Sequence, residues 1–313
     1  MPLPSGTRGS GPGTHPTIGV VVESTEGPWF TQLLSGIEEA LVASRGDLML
    51  CSLTAAGHYD AAQAFRWIRE RRVDGLLFAS LTMRERSLLE AAVDVQMPLV
   101  VVSPDEPLPG HHVVRGDNRR AGMLVAHHLA DLGHTRIAFA GGRFNSGDSQ
   151  DRLRGLTEGL AARQRPLDPN RIHHCNSYYA EAGAAFARVF LQRPLDVTAI
   201  VLANDALALG FRRVALQRGI RIPEDLSIVG FDGVPEGDLV WPGLTTVAQP
   251  MQKMGQLATR TLLAEIESPG AVPRKTIELQ MDLVRRESTG PARPLPRPRN
   301  GRIPGLETPR VQP

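Results

Sequence analysis

The sequence is short of cysteine, of aromatic side chains and of long apolar runs. Two of its 313 residues are Cys and 5% are aromatic. One Cys pair in so long a chain does not make a disulfide framework, so both thiols are expected to be buried in a reducing cytoplasm. No apolar stretch approaches the roughly 18 residues of a membrane span. Residues 1–16 contain no apolar core of a secretory signal, so export is not expected.

Charge of one sign is also scarce in the body of the chain. The sequence has 35 basic and 33 acidic residues, a net charge of +2. Residues 291–313 contribute +4 and residues 1–16 contribute +1, which leaves −3 for the remainder. A slightly acidic body is a poor match for the phosphates of DNA, so it is not expected to form a nucleic-acid surface.

Motifs of catalysis and of metal binding are missing too. Glycines with the spacing of a phosphate-binding loop precede Asp148, which stands where that loop needs Lys. No GxSxG or HExxH motif occurs, and no nucleophile is recognisably paired with a base. Three His pairs occur, at 111–112, 127–128 and 173–174. Adjacent side chains on a strand or helix point apart, so we expect no metal, no cofactor and no enzyme.

Short apolar runs alternate with helical patterns along the chain. The runs at 18–22 (IGVVV), 73–79 (VDGLLFA) and 99–103 (LVVVS) are continuous, as in strands of a parallel sheet covered on both faces by helices. The rhythm restarts at Asp117, which is a predicted N-cap. The sequence therefore predicts an α/β fold of two lobes, each with a mostly parallel sheet.

Open parallel sheets bind ligands at the carboxyl ends of their strands, so two facing lobes form a cleft there. Arg152, Asn204 and Asp232 lie in or near the loops that follow predicted strands. Such side chains provide the planar donors and acceptors that fix sugar hydroxyls, and an aromatic face covers the apolar side of a ring. We therefore predict that the cleft binds a small polar molecule.

Each of these residues also has a purely structural interpretation. Asn204 precedes a predicted helix and is a possible N-cap. Asp232 ends a strand, where a turn role is common. Arg152 sits on a predicted helix, where most Arg side chains are solvated, and Trp29 has the spacing of a half-buried core residue.

Seven motifs, in this order and spacing, resemble the effector-binding region of LacI/GalR-type bacterial transcription regulators. They are TIGVVVES from 17, VDGLLFAS from 73, GDNRRAGMLVAHHLADLGHTRIAFAGG from 116, SQDRLRGLTEGL from 149, AIVLANDALALGFRRVALQRGIRIPEDLSIVGFDGVP from 199, LTTVAQPMQKMG from 244 and LVRREST from 283. The resemblance covers about residues 17–289. The segment IPEDLSIVGFD separates such regulators from most transport binding proteins.

The resemblance implies a type I periplasmic-binding-protein-like fold whose chain crosses between the lobes near Gly116, Ala248 and Thr276. The predicted divisions are a flexible segment 1–16, an N-terminal lobe of 17–115 plus 249–276, a C-terminal lobe of 116–248 plus 277–289, and a disordered Pro/Arg-rich tail 290–313. The tail is expected to be a solvated extension.

The resemblance also implies ligand contacts. The predicted ligand-binding residues are Trp29, Phe30, Ser149, Arg152, Tyr178, Asn204, Asp232 and Gln249, of which Ser149 is included for its polarity beside Arg152. The family often has a charged residue where this chain has Ser103, so the contact on that side differs. The implied ligand is a sugar or related metabolite, and the implied protein is a cytoplasmic homodimer whose lobe closure controls operator binding.

Members of that family carry a helix-turn-helix and a hinge helix before the first strand. Sixteen Gly/Pro-rich residues precede Thr17 here. Such a segment is too short for two helices and a recognition surface, so we expect no operator binding by that route. A truncation, a mis-set gene start or a stand-alone effector domain would explain it. The alternative function is a solute-binding protein of a sugar transport system, against which the lack of an export signal argues.

Overall fold

The computed structural model describes residues 15–55, 58–271 and 273–294. Within these ranges it has eight α-helices and fourteen β-strands. The helices are α1 (Pro28–Ser44), α2 (Ala62–Arg69), α3 (Arg86–Asp94), α4 (Asn118–Asp131), α5 (Gly147–Ala162), α6 (Ala180–Phe190), α7 (Asp205–Gln217) and α8 (Met251–Glu267). The strands are β1 (Thr17–Val22), β2 (Asp47–Ser52), β3 (Thr54–Ala55), β4 (His58–Tyr59), β5 (Gly75–Ala79), β6 (Leu99–Val102), β7 (His112–Gly116), β8 (Ile137–Gly141), β9 (Ile172–His174), β10 (Ala199–Leu202), β11 (Ser227–Asp232), β12 (Thr245–Ala248), β13 (Thr276–Leu279) and β14 (Asp282–Val284).

The first lobe, lobe I, is built on a sheet with the strand order β13-β7-β6-β5-β1-β2. Every pairing in this sheet is parallel. Its central strand β5 (GLLFA) is buried along its whole length, as expected for a strand with helices on both faces. One apolar cluster joins the sheet to α1 and α8, and a second joins it to α2 and α3.

The second lobe, lobe II, has the sheet order β14-β12-β11-β10-β8-β9. Its strands run parallel except β14, which is antiparallel to β12. Helix α4 packs on α5 and α6 on α7, and one continuous apolar cluster fills the lobe. The predicted two-lobed α/β fold is confirmed.

The chain passes between the lobes after β7, after β12 and after β13. The first two crossings are at Gly116 and Ala248. Strand β13 pairs with β7 as far as the partners Leu279 and Gly116. All of Thr276–Leu279 thus belongs to the sheet of lobe I, and the step to β14 follows Leu279.

Three pairs of helices pack closely at points where one helix has a glycine. A Cβ on Gly36 of α1 would lie 1.9 Å from the Gln252 carbonyl oxygen of α8. A Cβ on Gly155 of α5 would lie 1.8 Å from the Arg119 carbonyl oxygen of α4, and one on Gly210 of α7 would lie 1.9 Å from the Ala180 carbonyl oxygen of α6. The sequence reaches this close packing by leaving out side chains at the crossing points.

Several local predictions need correction. Strand β7 (HVVRG) was not predicted, since it is short and has polar residues at both ends. The helical pattern in the sequence predicts a start at Asp151 for α5, but the helix begins at Gly147. Gly46 is the predicted terminator of α1, but the helix ends at Ser44 and its C-cap Arg45 takes the left-handed conformation.

The beginning of the predicted tail is ordered against lobe II. The Ala292 amide donates to the Leu132 carbonyl at 2.9 Å, and Arg293 Nε donates to the Asp225 carbonyl at 2.8 Å. Residues 1–14 and 295–313 lie outside the described residues. Both cysteines are free thiols, and Cys175 is half-buried rather than buried as expected.

Candidate functional site

A cavity of about 540 Å³ lies between the lobes, at the carboxyl ends of strands from both sheets. This volume suits a small metabolite. Lobe I contributes polar and aromatic residues from the loops after β1, β5 and β6, and lobe II contributes those after β8 to β11. Its principal lining residues are Glu23, Ser24, Trp29, Ser80, Thr82, Ser103, Asp105, Arg143, Ser146, Asp148, Arg152, Asn176, Tyr178, Asn204, Asp232 and Gln249.

Arg152 is the centre of a buried network on the lobe II wall. Its side chain projects from the second turn of α5 and is 3% exposed. Nε donates to Asn118 Oδ1 at 2.7 Å, one terminal nitrogen donates to the Ala203 carbonyl, and the other lies 3.3 Å from Asp232 Oδ1. The guanidinium also lies 4.8 Å above the Phe231 ring. Arg152 is therefore held in one orientation by four different groups.

Asp232 ends β11 and receives two donors from its surroundings. Gln249 Nε2 donates to Asp232 Oδ1 at 2.7 Å, in addition to Arg152. Burial raises the pKa of Asp232, and the positive charge of Arg152 partly offsets this rise. Its φ of 112° is outside the regions that non-glycine residues favour. Asp232 thus lines the cavity at the end of β11, with both donors on one carboxylate oxygen.

Asn204 is the N-cap of α7, as one of its two interpretations predicted. Its Oδ1 accepts from the Leu207 amide at 2.9 Å, and its Nδ2 donates to the Tyr178 carbonyl at 3.1 Å. The side chain also lines the cavity. The Tyr178 ring packs directly on Gly142, where a Cβ would lie 2.3 Å from ring carbons. Glycine at 142 is therefore required for the ring to reach the cleft.

The structure brings six of the eight predicted site residues to one cavity. Trp29, Arg152, Tyr178, Asn204, Asp232 and Gln249 line it. Phe30 does not, because its position on α1 faces the core beneath, where it is 3% exposed. Ser149 does not either, since its hydroxyl lies against Gly141 of β8.

Half of the non-glycine residues with positive φ in the described part of the chain line the cleft. These four stand at or just after the ends of strands, namely Ser80, Ser103, Asn176 and Asp232. Each such conformation costs about 1–3 kcal/mol. The other non-glycine cases are Arg45, Arg71, Gln96 and Gln164, all of which follow helices. The strand ends are thus held in special conformations where the lobes meet.

The two lobes touch across the mouth of the cavity. Arg143 of lobe II donates to Glu23 of lobe I at 2.5 Å. The Asp105 carbonyl approaches Gly147, at the start of α5, so closely that a Cβ there would lie 2.4 Å away. Burial raises the pKa of the Asp105 carboxyl to about 6, although Arg143, Ser146 and Gly147 act in the opposite direction.

Sequence reasoning missed the residues that support this site. Asp205 is fully buried and accepts from the Gly233 and Val234 amides at 2.8 and 2.9 Å and from the Thr246 hydroxyl at 2.7 Å. Burial first, and then the charge of Asp232, raises the pKa of Asp205. Asp205 fixes the turn that follows Asp232. Its place directly after Asn204 is the signal that was available.

Comparisons with known proteins place this geometry in a family. The model of a family described as a periplasmic binding protein-like domain matches residues 126–289. The HTH-type transcriptional regulator DegA of Bacillus subtilis (strain 168) is 32% identical over 276 residues, which are 88% of this chain and 81% of DegA. A LacI family transcriptional regulator from Mycobacterium smegmatis has 31% identity and a TM-score of 0.76, covering 88% of this chain and 99% of that one. The chain belongs to the LacI family.

A second solved structure of the LacI family contains a bound sugar. It is a regulator from Enterococcus faecium with bound ribose, which has 27% identity and a TM-score of 0.78 and covers 88% of this chain and 100% of that one. The two lobes of the present LacI-family chain form the small-molecule effector-binding domain of a transcription regulator. The named relatives do not favour the alternative of a transport protein.

Two kinds of feature, a metal site and a membrane-spanning helix, are absent from the described residues. Within residues 15–55, 58–271 and 273–294, no three His, Cys, Asp or Glu side chains converge as a metal site. In the same part of the chain, no helix is both long and apolar enough to span a membrane.

Proposed function

We propose that the cleft binds a sugar or a closely related polyhydroxylated metabolite. The observation that carries this proposal is the convergence of Arg152, Asp232 and Asn204 on one cavity between the lobes. Arg152 and Asp232 have planar side chains that are hydrogen-bonded to one another, and they present fixed donors and acceptors to neighbouring hydroxyls of a ligand. The bound ribose of the Enterococcus faecium relative supports a ligand of this class.

The proposed ligand contacts are the six predicted residues that line the cavity. Trp29 and Tyr178 supply aromatic faces from opposite lobes, and Arg152, Asn204, Asp232 and Gln249 supply polar atoms. Phe30 and Ser149 are left out of the proposal, because they lie behind the cavity wall. Aromatic faces on both sides and polar atoms at the base form a site for a ring with hydroxyls at its edge.

In this proposal the ligand acts by favouring one arrangement of the lobes. A ligand shifts such an equilibrium only as far as its affinities for the two arrangements differ. Contacts from both lobes provide that difference, since an open cleft would keep only half of them. In a regulator that also carries a DNA-binding part, the lobe arrangement would control operator binding in the cytoplasm.

A melting-temperature screen against sugars and nucleosides tests the proposal. A ligand at a hundred times its Kd stabilises the folded protein by about 2.7 kcal/mol, which is a readily measured shift. Asp232→Asn should remove the shift, because the Arg152 and Gln249 donors lose their carboxylate. Asp47→Asn, at an exposed position of β2, is the matched control and should keep it. Retention of the full shift by Asp232→Asn would show that the ligand binds elsewhere.

The same proposal includes a homodimer. Leu239 and Trp241, close together in lobe II, are 82% and 77% exposed, and neighbouring exposed apolar side chains are typical of interaction surfaces. Trp241→Glu should therefore shift the protein towards the monomer in sedimentation experiments. An unchanged sedimentation coefficient would contradict this use of the surface.

We also propose that the protein binds its ligand without converting it. The polar groups of Arg152, Asn204 and Asp232 are held by one another and by the backbone, which favours recognition over proton transfer. The ligand found by the screen should be recovered unchanged after prolonged incubation with the protein. A product detected by mass spectrometry would overturn this part of the proposal.

A further inference from the structure

The charges that line the cavity do not balance. The wall includes the carboxylates of Glu23, Glu26, Asp105, Asp148 and Asp232, and the guanidiniums of Arg84, Arg143 and Arg152. Glu26 and Arg84 are exposed at the rim, where water screens them. The inner wall therefore has four carboxylates and two guanidiniums.

Both inner guanidiniums are already engaged by carboxylates. Arg143 pairs with Glu23 at 2.5 Å, and Arg152 pairs with Asp232 at 3.3 Å. Arg152 also donates to Asn118 and to the Ala203 carbonyl. A phosphate or carboxylate group on a ligand would thus compete with Glu23 or Asp232 for these guanidiniums, although Arg143 Nε is buried without a hydrogen-bond partner in the described residues.

Asp105 and Asp148 remain on the inner wall outside these ion pairs. Asp148 accepts a hydrogen bond at 2.7 Å from Asn118 Nδ2, and this amide donor is neutral. The charges of Arg152 and Arg115 lower the pKa of Asp148, and the charge of Arg143 lowers that of Asp105, but each of these cations also pairs with another carboxylate. Burial is the largest effect on both carboxyls and raises the pKa of each despite these cations.

A further acceptor in the same wall has no donor. Gln249 is 6% exposed and lines the cavity, and within the described residues its Oε1 is buried without a hydrogen-bond partner. A buried acceptor without a partner costs about 1–3 kcal/mol. Like the two carboxyls, it calls for a ligand that donates hydrogen bonds.

We infer that the ligand of this cleft is a polyol with an ammonium group, such as an amino sugar, rather than a phosphorylated or acidic sugar. Asp105 and Asp148 receive the ammonium group, and the acceptors of the wall receive hydroxyl donors. The cation offsets the excess of carboxylates on the inner wall, whereas an anion would face two carboxylates that share their cations with other acidic residues. This inference rests on the proposed function, because it names the chemical class of the sugar.

Matched sets of probes test it near neutral pH. Each set has a neutral hexose, its 2-amino derivative and its 6-phosphate, for glucose, galactose and mannose. Calorimetric titration of the intact protein should show the amino sugar binding about tenfold more tightly than the neutral sugar of its set, as expected for one charge-assisted hydrogen bond. The phosphate should not bind detectably.

Asp105→Asn gives the second arm of the test. It should reduce the affinity for the amino sugar about tenfold and leave that for the neutral sugar nearly unchanged. Asp47→Asn, the exposed control, should change neither. Melting curves of the free variants show that both are folded.

Each other outcome contradicts the inference in its own way. A neutral or phosphorylated sugar that binds as tightly as its amino partner overturns the ligand class and leaves sugar binding intact. Equal losses for the amino and neutral sugars in Asp105→Asn would show that Asp105 shapes the wall without pairing with an ammonium. Absence of binding by every amino sugar would overturn the inference, and the melting-temperature screen against sugars and nucleosides tests the proposed function separately.

Discussion

Lobe II has one continuous apolar core, whereas the core of lobe I is divided into two clusters. Glycine crossings join α4 to α5 and α6 to α7 in lobe II, and in lobe I they join α1 to α8. Helices α2 and α3 have no such crossing and pack through larger side chains such as Trp67 and Leu88. Similar sheets are therefore stabilised in different ways, and lobe II is the more tightly connected.

The same difference continues into the cleft. The lobe II wall is held by hydrogen bonds among Arg152, Asn118 and Asp232. The cleft carboxyls of lobe I, Glu23 and Asp105, interact instead with groups of lobe II. One half of the site thus keeps its geometry by itself, whereas the other half depends on contact between the lobes.

Arg152→Ala should have the largest effect on this comparison. It leaves Asp232 buried without its cation, which costs about 3–5 kcal/mol of unfolding free energy. Urea unfolding followed by circular dichroism measures the loss. The double variant Arg152→Met with Asp232→Asn should recover most of the stability, since no uncompensated charge remains, and should still not bind ligand. A single variant as stable as the original protein would contradict the network described for lobe II.

Gly155→Ala should be the next most damaging change. Its Cβ would lie 1.8 Å from the Arg119 carbonyl oxygen, so α4 and α5 must separate. We expect a loss of about 3 kcal/mol in urea unfolding. Thr157→Ala, an exposed site on the same helix, should change the free energy of unfolding by less than about 0.5 kcal/mol. Equal effects of the two changes would argue against glycine crossings as the basis of the tight core.

Two buried groups, His134 in lobe II and Asp105 in lobe I, should make contributions to stability that depend on pH with opposite signs. His134 in lobe II is buried between Thr198 and the Gly290 carbonyl, and burial lowers its pKa from 6.5 to about 4. The unfolded chain binds a proton at this site before the folded chain does, so stability is present above pH 6.5 and falls as pH approaches about 4. His134→Gln should weaken this dependence, whereas the exposed control His58→Gln should not. Urea unfolding at several pH values measures both slopes.

Asp105, at the cleft wall of lobe I, has the reverse sign. Because its folded pKa is raised from 3.8 to about 6, its contribution is most favourable below pH 3.8 and is lost as pH rises through about 6. Asp105→Asn should therefore raise the melting temperature of the free protein near neutral pH, and the gain should shrink in mild acid. A gain that is the same at both pH values would contradict this reversed sign.

Glu23→Gln should have the smallest effect. The Glu23–Arg143 pair joins the lobes but is partly exposed, with 25% and 31% of the two side chains accessible. Such pairs contribute about 1 kcal/mol or less. We expect ligand affinity to fall a few-fold in calorimetry, with little change in urea unfolding. A loss of unfolding free energy as large as that of Gly155→Ala would show that the pair stabilises a lobe rather than the contact between lobes.

The sequence predicts much of the fold because buried parallel strands are continuous apolar runs and helices have a clear period. Strand β7 escapes this pattern, since its register is set by β6 and β13 and not by its own composition. The cleft positions of Arg152 and Asp232 follow from the sequence, because Asp232 ends a strand and Arg152 lies early in the helix that follows β8. The contact between Asp105 and Gly147 cannot be predicted from the sequence, because it depends on how the two lobes meet. Phe30 and Ser149 show that a neighbour of a cleft residue can face the core.

Hydrogen exchange with and without the sugar that gives the largest melting shift tests the central claim most directly, namely that one small molecule is held between both lobes. The account predicts slower exchange on binding in loops of both lobes, at residues 23–29 and 103–105 of lobe I and 143–152 and 176–179 of lobe II. Protection confined to one lobe, or protection away from these strand ends, would contradict it.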